Sequence, residues 1–573
     1  MTESIKLSNL DTHFADFIVR LDRHPGDGLW WGAALASYFA GRGHSCFDLS
    51  DAPESAALPL LRNPRTPPPA DLRSWRESLK LCDTVGTPGE YTPLVLDDAG
   101  RLYLHRCWGY ERQVVAGILS RSRRADINET GLDDALDRYF PSGPGVEDLQ
   151  RSAARMALTH RFSVISGGPG TGKTATVARI LALLLTVSGD PRPEIALAAP
   201  TGKAALRLHQ SIIQAAELLD LPDDISGCLP TGVSTIHRLL GVQTRRGGFR
   251  HNRDNRLRCD ILVVDEASMV DLQLMASLLE ALRDDARVIL LGDRNQLASV
   301  EAGAVLADIC DSAVQADVPV TQLTKSYRFG DDSGIAALSR LINAGESVAA
   351  ADLVQSGHYP DIVWRLLPTG RTFEEAFKAA ARAGYTGYAR AANPAEALQA
   401  LGSFRVLSPL RSGPYGVESL NSLCLAALVP EQKNDHRDHR MLPVMITGNI
   451  YELGLFNGDT GVMVESDGAS TVWFENPEGG LRHLSSLRLP PFEAAFALTV
   501  HKSQGSEFDR VLLILPDHLS EVLSRELLYT AVTRARSSIE IWGTEEVFRQ
   551  AVERRTVRRS GLCEQLAAGG QGR

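Results

Sequence analysis

The chain has 573 residues, 44% hydrophobic and 23% charged, with a net charge of −10 at neutral pH. That length and composition predict several folded domains and exclude a disordered tail. The longest uninterrupted apolar run, Ile180 to Leu185, is far below the ~18 or more residues of a membrane span. The opening MTESIKLSNLDTHF lacks the basic end and apolar block of a signal peptide, so a cytoplasmic protein without membrane contact is expected. An acidic surface attracts no nucleic acid as a whole, and any such ligand needs a local groove.

The eight cysteines are never closer than 25 residues apart. This spacing argues against paired zinc or iron–sulfur ligands and fits buried, reduced thiols. Only eight of the 60 basic residues are lysine, and four of those, Lys173, Lys203, Lys325 and Lys502, fall within the motifs described below.

In chain order, the front section combines a helical pattern (Trp30 to Ala40) with a short apolar run (Thr92 to Leu96) and carries no recognisable chemistry. Proline-rich punctuation at 62–69 and 141–145 interrupts it. Apolar strand runs then alternate with helices: Phe162–Ser166, Ile195–Ala199, Ile261–Val264 and Val288–Leu291. A second such region holds Phe404–Leu407, Phe496–Val500, Val511–Leu515 and Ile539–Trp542. The pattern predicts an α/β fold with two parallel sheets flanked by helices. Expected boundaries are 1–125, 126–318 and 319–573. Two insertions are expected: a β-hairpin at 242–259 with six arginines, and a small β-barrel at about 441–490 with turns at Asn457–Asp459 and Asn476–Gly480.

Gly167-Gly168-Pro169-Gly170-Thr171-Gly172-Lys173-Thr174 follows a strand and opens a helix. Its glycines let backbone N–H groups curl around phosphate oxygens, Lys173 reaches the β/γ-phosphates, and the Thr174 hydroxyl suits Mg²⁺. The strand Ile261–Val264 ends in Asp265 and Glu266, a pair that suits Mg²⁺ and the deprotonation of an attacking water, respectively. Gln296, beyond the next strand, is placed to hydrogen-bond γ-phosphate and water. Arg328 and Arg534 are candidates to neutralise the charge of phosphoryl transfer. ATP and Mg²⁺ are the expected ligands.

The P-loop, APTGKAA (199–205), STIHRLLG (234–241), VVDEAS (263–268), GDRNQLASVEAGAVL (292–306), LTKSYRF (323–329), TVHKSQGSEFD (499–509) and YTAVTRAR (529–536) occur in order. Together they resemble the motifs of superfamily 1 helicases, in the RecD branch that forms the alpha subunit of exodeoxyribonuclease V. GRGHSCFDLS (41–50) and LYLHRCWGYERQ (102–113) are similar to that branch's N-terminal domain. Ala298 and Glu301 stand where the stand-alone RecD-like helicases usually carry proline and glycine.

The resemblance implies two RecA-like motor domains, a mainly helical N-terminal domain and an SH3-like insertion. It assigns Gln150 to the adenine, Glu507 to the nucleotide sugar, and Thr201, Lys203, Thr235, His237, Thr499 and His501 to single-stranded DNA. It makes the hairpin around Phe249 a strand-separating pin. It also implies 5′→3′ travel, RecB-like and RecC-like partners in a heterotrimer that processes duplex ends, and no nuclease site in this chain. An autonomous helicase and a non-hydrolysing scaffold subunit are the alternatives.

Overall fold

The computed structural model describes residues 5–51, 71–124, 132–141, 148–189, 191–219, 221–230, 232–243, 247–330, 332–428, 440–466, 469–476 and 480–571. The punctuated stretches at 62–69 and 142–145 and the hairpin tip at 244–246 lie outside them.

The first parallel sheet has six strands. In spatial order they are Val320–Leu323, Phe162–Gly167, Arg287–Gly292, Ile261–Val264, Ile195–Ala199 and Ser234–Thr235. Alternate residues of its strands enter opposite cores, as the two-residue strand period requires. Val164, Leu262, Val264 and Leu290 pack with helices Leu272–Ala281 and Val305–Ala316. Ile165, Val263, Ile289 and Leu291 pack with helices Leu149–Thr159, Lys173–Val187 and Gly202–Leu218. The second sheet has five parallel strands, ordered Ile362–Leu366, Ala535–Gly543, Phe508–Ile514, Phe404–Ser408 and Ala497–Thr499, with a core on each face. Both sheets match the expected α/β architecture, and the loops that carry the candidate site residues fall at the carboxyl ends of their strands.

The expected boundaries need three corrections. Val320–Leu323 lies beyond 318 yet is the edge strand of the first sheet; it is short and half polar, so its hydropathy concealed it. Helix His105–Arg121, assigned to the front section, places Val114, Ile118 and Leu119 in the core of the first sheet. Its Arg121 guanidinium donates to the Gly117, Leu282 and Arg283 carbonyls. Finally, helix Leu562–Gln571 leaves the second sheet's domain and packs on helices Val305–Ala316 and His105–Arg121. The front section is mainly helical, as expected, and Cys46–Asp48, Arg101–Leu104, Leu94–Leu96 and Val85–Gly86 add a small mixed sheet to it.

The insertion expected at about 441–490 is a five-stranded antiparallel sheet, ordered Leu481–Ser485, Ala469–Glu475, Thr460–Ser466, Arg440–Ile446 and Phe492–Ala494. Val444, Ile446, Leu455, Val472 and Phe474 form its own core. The region 242–259 forms no extended strand pair among the described residues. It holds isolated bridges, Val242 with Phe249 and Asn252 with Asn255. Arg256 there is structural, donating to the Glu280 and Leu282 carbonyls.

The returning C-terminal segment docks on one buried carboxylate. Glu111 is wholly buried and accepts from Ser45 Oγ, from Gly561 N at 3.1 Å and from Gln565 Nε2 at 2.7 Å. Desolvation pushes its pKa up from 4.5 to about 7. A raised carboxyl pKa favours the protonated folded state, so the penalty is absent below the unfolded pKa, grows as pH rises from there to the folded one, and is complete above it. Over that window it amounts to at most ~3 kcal/mol. Glu111→Gln is therefore expected to raise Tm at about pH 8 and to leave it unchanged at about pH 4. Thermal melts at both pH values check this, and a lowered Tm at the higher pH would refute it.

Candidate active site and nucleic-acid cleft

The P-loop bridges strand Phe162–Gly167 and helix Lys173–Val187. Gly170 and Gly172 take left-handed φ values of 75° and 79°, open to glycine at little cost. A side chain at Gly170 would also collide, since its Cβ would fall 2.3 Å from the Cβ of Arg328. Lys173 Nζ donates to the Gly167 and Gly168 carbonyls at 2.6 and 3.1 Å, folded back along the loop. Thr174 follows it in the first turn of the helix.

This loop forms one wall of a cleft of about 590 Å³ between the two sheets. Lys173, Thr174, Asp265, Glu266, Gln296, Arg328, Glu507 and Arg534 all line it. Eight residues from six separate stretches of sequence thus meet at one place. Glu266 has φ 52° and ψ 40°, left-handed values that non-glycine residues rarely adopt. The turn comes directly after strand Ile261–Val264, where Glu266 N donates to Asp265 Oδ1 at 2.8 Å. Burial, with the Glu266 charge beside it, raises the Asp265 pKa, and Lys173 opposes the rise.

Gln296 is almost fully buried. Its Nε2 contacts Asp293 Oδ2 at 3.4 Å, while its Oε1 has no hydrogen-bond partner among the described residues. An acceptor left open beside a phosphate-binding loop fits a water or a ligand donor. Arg534 is held by the Thr530 and Ser506 carbonyls, both at 3.1 Å. Arg328 Nη2 lies 2.7 Å from Glu507 Oε1. Gln150 sits behind the P-loop, its Nε2 3.0 Å from where a Gly172 Cβ would stand.

A second cleft, of about 690 Å³, crosses the tops of both sheets. Thr201, Lys203, Thr499 and His501 line it together with the tip of the β insertion. Lys203 Nζ donates to Thr460 Oγ1 at 2.6 Å, and burial lowers its pKa to about 8. Thr235 and His237 do not line this cleft. The buried Thr235 hydroxyl caps helix Ile236–Leu240 by accepting from Arg238 N. The His237 ring packs against Phe249, centroids 6.0 Å apart, and burial lowers its pKa.

Three family descriptions match the chain: "RecBCD enzyme subunit RecD, N-terminal domain" over residues 3–103, "AAA domain" over 150–302 and "UvrD-like helicase C-terminal domain" over 494–539. The RecBCD enzyme subunit RecD of Mycolicibacterium smegmatis is 38% identical over 98% of this chain and 98% of its own length. The chain belongs to the RecD family. The RecD subunit of Haemophilus influenzae is 35% identical over 86% of this chain and 85% of its own. The ATP-dependent RecD2 DNA helicase of Deinococcus radiodurans is 32% identical over 82% of this chain and 59% of its own.

In this RecD-family chain, several cleft residues had no role assigned from sequence. Tyr529 donates its hydroxyl to the buried Asp293 at 2.7 Å, joining the two motor domains behind the P-loop. Leu297, next to Gln296, receives Gln504 Nε2 on its carbonyl at 2.9 Å and donates its N–H to Thr530 Oγ1 at 3.0 Å. Gln504 also lines the second cleft, so one side chain ties that cleft to the residue next to Gln296. Tyr327 stands exposed beside Gln150 and Gly172, and its N–H donates to Gly170 O at 2.7 Å. Arg207 and Arg536 complete the wall around Glu507. All but Arg207 fall inside or beside quoted motifs, yet nothing in a linear motif shows that they touch. Arg207 lies on the helix after APTGKAA with no distinguishing signal.

Proposed function

We propose that this RecD-family chain is the ATP-driven 5′→3′ DNA motor of a RecBCD-type helicase–nuclease that processes duplex ends for recombinational repair in the cytoplasm. The observation that carries the reading is the convergence of Lys173, Glu266, Gln296, Arg328 and Arg534 on one interdomain cleft, joined through Gln504 to a second cleft suited to a DNA strand.

Lys173 and the P-loop amides of Gly167 to Thr174 hold the phosphates, and Gln150 reads the adenine. Tyr327 offers a ring face for the base. Asp265 and Thr174 supply one carboxylate and one hydroxyl oxygen, the kind of sparse donor set that Mg²⁺ accepts when phosphates and waters complete its shell. Bound there, Mg²⁺ would neutralise phosphate charge. Glu266 takes a proton from water as the water oxygen bonds to the γ-phosphorus. The bond to the β,γ-bridging oxygen breaks, leaving ADP and inorganic phosphate. Gln296 orients that water, and Arg328 and Arg534 stabilise the charge spread over the phosphoryl oxygens.

In the second cleft, Thr201, Lys203, Thr499 and His501 offer short donors and a cation to DNA phosphates, a sequence-independent grip. Thr235 and His237 belong to the same path only beyond that cleft, beside the Phe249 excursion proposed as the pin. The insertion, proposed as SH3-like, covers the strand from above. No helix among the described residues is long and apolar enough to cross a membrane.

RecB-like and RecC-like chains are the proposed partners in a heterotrimer, with nuclease activity supplied by the RecB-like subunit. Helix Asn9–Leu21 supports docking through the front section: Leu10, Phe17 and Leu21 share one face and are 74%, 54% and 52% exposed. Such a contiguous apolar face suits a protein partner.

Unwinding of matched 5′-tailed and 3′-tailed duplexes tests the reading, with the wild-type chain and Lys173→Gln, each alone and with RecB-like and RecC-like subunits. The 5′-tailed substrate is expected to open through this chain, and Lys173→Gln is expected to abolish that opening. Lys173-dependent opening from the 3′ tail would overturn the assigned polarity. Full activity without partners would favour an autonomous helicase.

A further inference from the structure

We propose that Glu507 is a positioning residue for Arg328: it holds the guanidinium by one terminal nitrogen so that the other is presented to the transferring phosphoryl group. This assignment rests on the ATPase reading above and replaces the nucleotide-sugar contact that resemblance suggests for Glu507.

The carboxylate is already engaged on both oxygens. Oε1 takes Arg328 Nη2 at 2.7 Å, while Oε2 faces Arg536 Nε at 3.3 Å and Arg207 Nη2 at 3.8 Å. The Glu507 side chain is only 15% exposed. Burial by itself would raise its pKa, but Arg328, Arg207 and Arg534 outweigh that and bring it down to about 2. It therefore stays ionised throughout the physiological range. A sugar hydroxyl would have to compete with charge-assisted bonds, which are roughly twice as strong as neutral ones.

Arg328 supplies the second half of the argument. Its Nη1 is buried and has no hydrogen-bond partner among the described residues, although the side chain lines the nucleotide cleft. A buried guanidinium donor left open is costly unless a ligand fills it. Glu507 thus fixes one side of the fork and leaves the other side available for an anion. Its charge also keeps Arg207, Arg328 and Arg536 together, three cations that would otherwise repel one another.

The decisive variant is Glu507→Gln, which keeps the shape and removes the charge. The full-length protein is used, with its partner subunits where turnover needs them. Arg328 should then swing by an ångström or more, and misplacement on that scale costs about 10²-fold in kcat. KM for ATP should stay within about twofold, because the interaction belongs to the transition state. ATP and 3′-deoxy-ATP should be affected equally. In a double-mutant cycle, Glu507→Gln should add nothing to Arg328→Ala, since both act through one guanidinium.

A rise in KM confined to ATP, with kcat intact and discrimination against 3′-deoxy-ATP lost, would overturn the proposal in favour of the sugar contact. Multiplicative losses in the double variant would overturn it too. Turnover by the wild-type protein in the same assay carries the ATPase reading separately. Its absence would sink that reading, whereas normal wild-type turnover with an unaffected Glu507→Gln would sink only this one.

Discussion

Arg328→Ala is expected to lower DNA-stimulated ATP turnover by about 10³–10⁵-fold, the range associated with loss of an arginine that stabilises phosphoryl-transfer charge. The side chain is partly exposed and comes from the segment between the two sheets. Its removal should therefore leave the fold intact, and an unchanged thermal melt would establish this. Its Nη1 is open, and its backbone lies against Gly170, so it can meet a γ-phosphate without a large movement. Steady-state turnover on single-stranded DNA, with binding of a fluorescent nucleotide measured alongside, is the check. Affinity should fall far less than kcat. A turnover loss below tenfold would remove Arg328 from the transition state and leave Arg534 to serve there alone.

The second large effect concerns Glu266. Changing it to Gln should reduce turnover by about 10²–10⁴-fold, as expected when a positioned general base is lost, while nucleotide binding persists. The left-handed backbone at Glu266 is a strain kept at the proposed catalytic turn, and Gln carries the same backbone preference and nearly the same volume. Removing a charge from beside Asp265 should also relieve the repulsion that raises the Asp265 pKa, so Mg²⁺-dependent nucleotide affinity should change little. Rapid-quench measurement of a single turnover separates chemistry from product release. An unchanged single-turnover rate would show that water is activated by another group.

Much of the proposed active site could be read directly from the sequence because the relevant side chains sit at the ends of strands. An apolar strand followed by a Gly-rich turn or by Asp-Glu is a local pattern, and the helix or turn after it is forced by chain geometry. The Phe162–Gly167, Ile261–Val264 and Arg287–Gly292 strands therefore announced Lys173, Asp265, Glu266 and Gln296 before any packing was known. The same logic failed where burial is uneven. Val320–Leu323 is an edge strand with one exposed position in four, and it reads as a loop. Helix Leu562–Gln571 carries no motif, yet Leu562 and Leu566 are buried in the core of the first sheet.

Among the proposed DNA ligands, local sequence also hid a division of labour. Thr201, Thr235 and Thr499 all match donors on the tops of the sheets, but only Thr201 and Thr499 reach the shared cleft. All three hydroxyls accept a local backbone amide, Thr201 from Ala204 N, Thr235 from Arg238 N and Thr499 from Lys502 N, so only their place relative to the cleft separates them. A capping threonine and a phosphate-binding threonine have the same local signature, because both stand before a helix N-terminus with a hydroxyl that serves a backbone amide.

The amino-acid sequence by itself determined the α/β architecture, the nucleotide chemistry and the family, since each depends on residues close together along the chain. Tertiary structure alone decided how those pieces act on one another. It gathered Arg207, Arg328 and Arg536 around Glu507, seated Gln504 between the two clefts, and returned the C-terminal helix to Glu111. These are contacts between charges and amides separated by tens to hundreds of residues. Such contacts leave no periodicity in the sequence, because their energy depends on distance in space and on exclusion of water, which exist only once the two sheets have packed.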